Sequence, residues 1–133
     1  MLHKIYYKWE DFDKDVQKIV KHIKENNWKI DCIYSIPRGG LILGTVLSYA
    51  LKVPLFNNNK YNNVLVVDDI SDSGKTLKNV PFIERYKTIT LHIKKNTKFV
   101  PDFYCDKFER DCWLVYPWEK KDSKMLRDKT NEK

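Results

Sequence analysis

The stretch Val64-Leu65-Val66-Val67-Asp68-Asp69-Ile70-Ser71-Asp72-Ser73-Gly74-Lys75-Thr76-Leu77 decides the fold of this chain. Its apolar, mostly β-branched beginning is typical of a strand buried on both faces, and such strands belong to parallel sheets covered by helices. Two carboxylates end the strand, and a small-residue turn leads into a helix. In α/β sheets, ligands bind at the carboxyl ends of the strands, and helix N-termini there offer N–H groups to phosphates. One loop thus offers carboxylates for hydroxyls or Mg²⁺ and amides for a phosphate.

This combination predicts a ligand with both vicinal hydroxyls and a phosphate, which indicates a ribose 5-phosphate. The run Gly74-Lys75-Thr76 also ends like a Walker A loop. That motif requires a glycine five residues before Gly74, however, and this chain has Asp69 there. An ATPase is therefore not expected, and a purely structural turn is the remaining alternative for this segment taken alone.

Length and composition predict one domain that works inside the cell. The 133 residues are enough for one core, and the formal net charge of +7 is expected to be mostly solvated surface. Three cysteines without a Cys-x-x-Cys spacing argue against a disulfide framework and a structural zinc site. With no apolar run long enough for a membrane helix and no signal peptide, we expect a soluble, cytoplasmic protein.

Apolar periodicity supplies the other elements of the predicted sheet. Strands are expected at residues 4–7, 30–36, 53–56 and 88–93. Helices are expected at about 10–26 and 41–52, with a short helix after Thr76 that Pro81 ends.

A second candidate anion site follows the strand at 30–36. Paired glycines in Pro37-Arg38-Gly39-Gly40 let the backbone approach a ligand closely, and Arg38 offers a planar fork to phosphate oxygens. An ordinary glycine turn is the alternative for this segment alone. Further along, Lys94 ends a strand, where a lysine is more often surface. Trp113 has a flat face suited to stacking on a base, whereas Trp118 is more typical of a core.

Taken together, these segments resemble the type I phosphoribosyltransferases. The central stretch is similar to the family's PRPP-binding signature, and Ser35-Ile36-Pro37-Arg38-Gly39-Gly40-Leu41 resembles the pyrophosphate loop of the xanthine-guanine branch. The segment Cys112-Trp113-Leu114-Val115-Tyr116-Pro117-Trp118-Glu119 resembles that branch's hood, in which Trp-x-x-x-Pro-Trp-acid recurs. The resemblance covers roughly residues 30–119 and keeps the family's order of segments.

The resemblance implies a role for each matching residue. PRPP would be bound by Asp68, Asp69, Asp72, Ser73, Gly74, Lys75 and Thr76. Pyrophosphate would be bound by Pro37, Arg38 and Gly39, often through a cis peptide between the first two. The purine base would be bound by Lys94, Trp113 and Leu114, and Asp72 would handle the base proton. Mg²⁺, the implied cofactor, would be held by Asp68, Asp69 and Glu119.

The implied fold is α/β, a central and mainly parallel sheet flanked by helices. We expect a single domain over residues 1–119, with a small C-terminal hood at about 95–119, and a charged tail at 120–133. The implied reaction transfers the 5-phosphoribosyl group from PRPP to guanine, xanthine or hypoxanthine in purine salvage, in a homo-oligomer. The family's flexible lid would be truncated, since only nine residues run from Leu55 to Asn63.

The alternative hypothesis is a catalytically weak sensor of PRPP or nucleotides that binds nucleic acid or a protein partner. The short lid and the positive charge favour it. The purine-site matches Lys94, Asp72 and Trp113 do not, because such a sensor needs no purine pocket. An orotate transferase lacks support because the hood resembles the purine branch. We therefore expect PRPP and a purine base as partners, and neither membrane nor nucleic acid.

Overall fold

A computed structural model describes residues 3–55 and 62–119 of the chain. The described residues form two compact units, a larger one at 14–110 and a smaller one made of 3–13 and 111–119. The elements in chain order are β1 (His3–Tyr6), α1 (Trp9–Glu25), β2 (Cys32–Ser35), α2 (Gly40–Leu51), β3 (Val64–Ser71), α3 (Lys75–Lys78), a 3-10 turn (Ile83–Arg85), β4 (Lys87–Lys94), β5 (Phe103–Phe108) and β6 (Cys112–Val115). No helix in these two ranges has the length and apolar character required to cross a membrane.

The larger unit is built on a four-stranded sheet in the order β2-β3-β4-β5, and every neighbouring pair is parallel. Strand β3 lies in its interior, and its residues 64–67 are fully buried, as a strand covered on both faces should be. Helix α2 packs on β2 and β3. The predicted α/β class with a parallel sheet is confirmed.

Helix α2 approaches β2 closely because it carries a glycine at the contact. A Cβ atom at Gly44 would stand 2.8 Å from the Cβ of Ser35 and 3.3 Å from Cδ1 of Leu55. Any side chain there would push the helix away from the sheet. This close approach fixes the start of α2 against the ends of β2 and β3, where the candidate ligand loops begin.

The smaller unit holds a two-stranded parallel sheet and an aromatic cluster. Strand β1 pairs with β6 in a register that places Lys4 opposite Trp113. The cluster joins rings with centroids 4.9 to 5.8 Å apart. Its members are Tyr7, Trp9, Phe12, Tyr116 and Trp118. Trp118 is thus partly buried and packs against other aromatic rings, as expected for a structural tryptophan.

Three details differ from the sequence predictions. Residues 53–55 form no strand; Pro54 lacks the N–H that a ladder requires, and only its carbonyl oxygen reaches β2, accepting from the Ile33 N–H at 2.9 Å. Strands β5 and β6 were not predicted, and β5 belongs to the central sheet although it lies inside the expected hood at 95–119. Phe56 and most of the expected short lid lie outside the described residues, as does the charged tail.

Candidate active site

The candidate ligand loops of the larger unit all follow the carboxyl ends of parallel strands. The Pro37 loop follows β2, the Asp72 turn follows β3, and Lys94 ends β4. Because neighbouring parallel strands end at the same edge of a sheet, the topology brings these three segments together. The site is thus assembled from residues far apart in sequence.

Asp68 and Asp69 form a pair of carboxylates withdrawn from water at the end of β3. Asp68 is only 8% exposed. Its Oδ1 accepts from the Asp69 N–H at 2.8 Å, and Asp69 Oδ1 accepts from the Ile70 N–H at 2.8 Å. Burial and, secondarily, the neighbouring Asp69 carboxylate raise the pKa of Asp68 to about 8. Burial also raises the pKa of Asp69. A cation beside this pair would offset the unfavourable burial of negative charge.

The loop after β2 lies directly against this acidic pair. A Cβ atom built on Gly39 would collide with the Asp69 carboxylate, and one on Gly40 would stand 2.6 Å from the carbonyl oxygen of Val67. Neither position has room for a side chain. The peptide bond between Pro37 and Arg38 is cis, as the resemblance implies. The candidate pyrophosphate loop and the candidate ribose loop are therefore in contact.

The turn after β3 borders a small cleft, and this turn is called the cradle below. Gly74 has φ of 91°, a left-handed conformation that favours glycine, and a Cβ atom there would stand 2.5 Å from the backbone nitrogen of Phe99. The Ser73 carbonyl oxygen accepts from the Lys98 N–H at 3.0 Å. The turn lines a cleft of about 70 Å³. The lining residues are Asp68, Ile70, Ser71, Asp72, Ser73, Gly74, Thr76 and Leu77.

The segment after β4 supports this cradle through hydrogen bonds. The buried hydroxyl of Ser71 donates to the carbonyl oxygen of Phe99 at 2.6 Å and lies 3.0 Å from the Thr97 hydroxyl. These contacts, with the Lys98 to Ser73 bond, tie two consecutive strand ends together. The conformation of the turn is thus set by residues more than twenty positions further along the chain.

Asp72 and Lys94 are joined through a residue that the sequence analysis missed, Arg110. Arg110 Nη1 lies 2.9 Å from Asp72 Oδ1 and donates to the Asp72 carbonyl oxygen at 2.9 Å. Lys94 is only 6% exposed, and its Nζ donates to the Arg110 carbonyl oxygen at 3.4 Å. A buried lysine at a strand end departs from the ordinary surface role. Arg110 was missed because it follows β5, a strand without a clear sequence signal.

The candidate residues of the smaller unit have contrasting environments. Trp113 is 44% exposed, and Lys4 Nζ lies 5.4 Å from the centroid of its ring system. Leu114 is buried. Glu119 Oε1 accepts from the Tyr116 N–H at 3.3 Å. The exposed indole has a face large enough for a planar ligand.

The acidic pair fits a metal that shares its coordination with a substrate. Among residues 3–55 and 62–119, no group of three or more His, Cys, Asp or Glu side chains could hold a metal ion by itself. Mg²⁺ characteristically binds through one or two carboxylates, several waters and substrate phosphates, and does not need a protein cage. The buried Asp68 and the partly buried Asp69, with pKa values raised by burial, match that chemistry.

These features define the class of protein. An all-parallel sheet carries, at the carboxyl ends of its strands, an acidic pair, a small cleft and a glycine loop. In an α/β protein, such an arrangement suits a phosphorylated, hydroxyl-bearing ligand.

Comparison with known proteins identifies the family. A purine phosphoribosyltransferase structure from Pyrococcus horikoshii shares 31% identity and a TM-score of 0.75, over 88% of this chain and 95% of the other. A xanthine-guanine phosphoribosyltransferase of Chromohalobacter salexigens is 24% identical in an alignment 133 positions long, which covers 84% of this chain and 81% of the relative. The Helicobacter pylori xanthine-guanine-hypoxanthine phosphoribosyltransferase has the same fold, with 23% identity, a TM-score of 0.74 and coverage of 95% and 99%.

No family model matches the chain. The similarity to the Pyrococcus enzyme nevertheless extends over nearly all of both chains, at an identity that marks common ancestry. The chain belongs to the type I phosphoribosyltransferases, and within them to the purine phosphoribosyltransferases.

Proposed function

We propose that this protein transfers the 5-phosphoribosyl group from PRPP to a 6-oxopurine, giving a nucleoside monophosphate and pyrophosphate. The contact between Gly39 and the Asp69 carboxylate carries the proposal. It brings a loop suited to pyrophosphate against a carboxylate suited to ribose hydroxyls or a metal. PRPP is a molecule in which a pyrophosphate and a hydroxyl-bearing ribose are joined at C1′. The names of the relatives supply the purine as acceptor.

In this proposal, PRPP lies along the carboxyl edge of the sheet. The turn from Ser73 to Thr76 binds the 5-phosphate through its backbone N–H groups, and Asp68 and Asp69 bind the ribose hydroxyls. Arg38 and the Gly39 backbone bind the pyrophosphate. Asp68 and Asp69 would also hold Mg²⁺, which when bound supplies positive charge to the leaving pyrophosphate. Glu119 remains a predicted further ligand of the metal.

The reaction breaks the bond between C1′ and the pyrophosphate oxygen, and forms one between C1′ and purine N9. The pyrophosphate leaves with the bonding electron pair, and C1′ becomes transiently cationic. The base must lose one proton, and Asp72 is the proposed acceptor. The chain's own contribution is to hold the two reactants in line and to balance the charges that develop.

The purine would be recognised by three residues. Lys94 would donate from its buried ammonium group to the 6-oxo oxygen, and Trp113 would stack on the ring. The backbone of Leu114 would meet the 2-position. Every residue carries the same backbone groups, so the side chains do not rank guanine, xanthine and hypoxanthine, and the proposal extends to all three bases.

We further propose a cytoplasmic homo-oligomer. The three cysteines Cys32, Cys105 and Cys112 are all free, a state that a reducing compartment maintains. Burial raises the pKa of the Cys105 thiol to about 12, which keeps it unreactive. Membership in the purine phosphoribosyltransferases favours the enzyme over the sensor hypothesis.

The test is direct. The purified protein is incubated with PRPP, Mg²⁺ and each of guanine, xanthine, hypoxanthine and orotate, and nucleotide and pyrophosphate are measured separately. Nucleotide formed from at least one purine and none from orotate would support the proposal. Binding of PRPP without nucleotide from any base would reject it in favour of a sensor. Salt-dependent binding of nucleic acid would point in that same direction.

A further inference from the structure

Arg110 makes two contacts to one residue of the candidate site. Its Nη1 lies 2.9 Å from Asp72 Oδ1 and donates to the Asp72 carbonyl oxygen, also at 2.9 Å. One nitrogen therefore bridges the side chain and the main chain of Asp72. This arrangement restricts the rotation of the Asp72 side chain, because the carboxylate and the backbone must face the same donor.

Arg110 is itself held in place by the end of the sheet. It comes two residues after β5, whose last residue, Phe108, is in register with Lys94. The Phe108 carbonyl oxygen accepts from the Lys95 N–H at 2.8 Å, and the Arg110 carbonyl oxygen accepts from Lys94 Nζ at 3.4 Å. The arginine thus links the candidate base-binding lysine to the candidate proton acceptor.

The ion pair of Arg110 and Asp72 is not explained by its contribution to the free energy of unfolding. The Arg110 and Asp72 side chains are 51% and 58% exposed, and exposed pairs contribute little to the free energy of unfolding. The nearby pair of Lys95 and Glu109 is slightly more exposed, at 55% and 66%, and its charged atoms are 3.8 Å apart. Of these two pairs, only that of Arg110 reaches a residue of the candidate site, which indicates a role in geometry.

We propose that Arg110 is a positioning residue for the transfer of the base proton. Its guanidinium holds Asp72 by Oδ1 and directs the second oxygen, Oδ2, toward the purine, where it accepts the proton. In the described part of the chain, no hydrogen bond to Oδ2 competes with that task. The inference rests on the proposed function, and it adds that Asp72 works only in the orientation that Arg110 sets.

A double-mutant cycle tests this role. The variants are Asp72→Asn, Arg110→Gln and the double variant, with Arg110→Lys as the conservative replacement and Glu109→Gln as the control that breaks the neighbouring ion pair. For Arg110→Gln we expect kcat to fall roughly 10- to 100-fold, the cost of a misplaced catalytic group, with the KM for PRPP almost unchanged. Arg110→Lys should recover part of this loss, and Glu109→Gln should resemble the parent.

The decisive measurement is the effect of Arg110→Gln in the Asp72→Asn background. If Arg110 acts through Asp72, its loss should cost nothing further there. Equal losses in both backgrounds would overturn the positioning role while leaving the proposed function standing. A parent protein that makes no nucleotide from any purine would overturn both. Thermal unfolding of each variant identifies any that fails to fold, in which case Arg110→Lys carries the comparison.

Discussion

The carboxylate of Asp69 occupies the place where a side chain on Gly39 would stand. Gly39 belongs to the loop after β2, and Asp69 belongs to the end of β3, so the contact couples the two loops that are proposed to bind opposite ends of the PRPP C1′–oxygen bond. The Asp69 carboxylate can lie there only because Gly39 has no side chain.

Replacing Gly39 by alanine should therefore damage the site more than the fold. The added methyl group must displace the Asp69 carboxylate, and we expect the KM for PRPP to rise by about tenfold or more, with a higher Mg²⁺ requirement. Steady-state kinetics at several Mg²⁺ concentrations measure this. Thr45→Ala, an exposed change on α2, is the control for altering this helix region. An unchanged PRPP and Mg²⁺ dependence in Gly39→Ala would contradict the contact.

The raised pKa of Asp68 predicts how stability depends on pH. Its pKa rises from 3.8 to about 8, mainly through burial, so in that interval the folded state binds more protons than the unfolded state. The free energy of unfolding contributed by this group should then decrease as the pH rises from about 4 toward 8. We expect the Tm of the unliganded protein to fall over this range. In Asp68→Asn the fall should be shallower, and identical slopes would refute the assignment.

Asp72→Asn should separate binding from chemistry. The amide keeps the shape of the side chain but is a poor proton acceptor, so we expect PRPP binding to persist while the transfer rate drops by roughly 10²- to 10⁴-fold. Calorimetry with PRPP and a stopped assay for nucleotide measure the two separately. Turnover at the parental rate would remove Asp72 from the proton transfer.

Trp113→Ala should weaken purine binding far more than PRPP binding. Loss of stacking is expected to cost roughly 1 to 3 kcal/mol, whereas Trp113→Phe should retain most of the affinity because it keeps an aromatic face. Equal losses for both ligands would mean that the tryptophan is structural. Quenching of the intrinsic tryptophan fluorescence by the nucleoside monophosphate provides an independent measurement, with Trp113→Phe as the matched comparison.

The parts of this protein that could be predicted carry strong local signals. A run of buried β-branched residues that ends in Asp68 and Asp69 identifies both a strand and the chemistry at its end. The glycine pair after Pro37-Arg38 is similarly distinct. In these segments, a few adjacent residues contain most of the information.

The parts that were missed depend on contacts between distant residues. Strand β5 carries exposed Asp106 and Lys107, which weaken the alternation of an edge strand. Arg110 gains its partner only because β5 pairs with β4. The burial of Lys94 likewise follows from its neighbours in the sheet. No local pattern could have indicated that Asp72 and Arg110 form an ion pair.

The all-parallel sheet also determines how this protein must fold. Each pairing in the central sheet joins distant parts of the chain, such as Cys32 with Val64 and Leu65 with Lys87, and none of these pairings is a local hairpin. The chain loses the entropy of closing those loops before the stabilising contacts form, so a high contact order predicts slow folding. The apolar β3 stays without its neighbours during that interval. The newly made chain is thus most prone to aggregation, and most dependent on chaperones, before the strand that bears its acidic pair is enclosed.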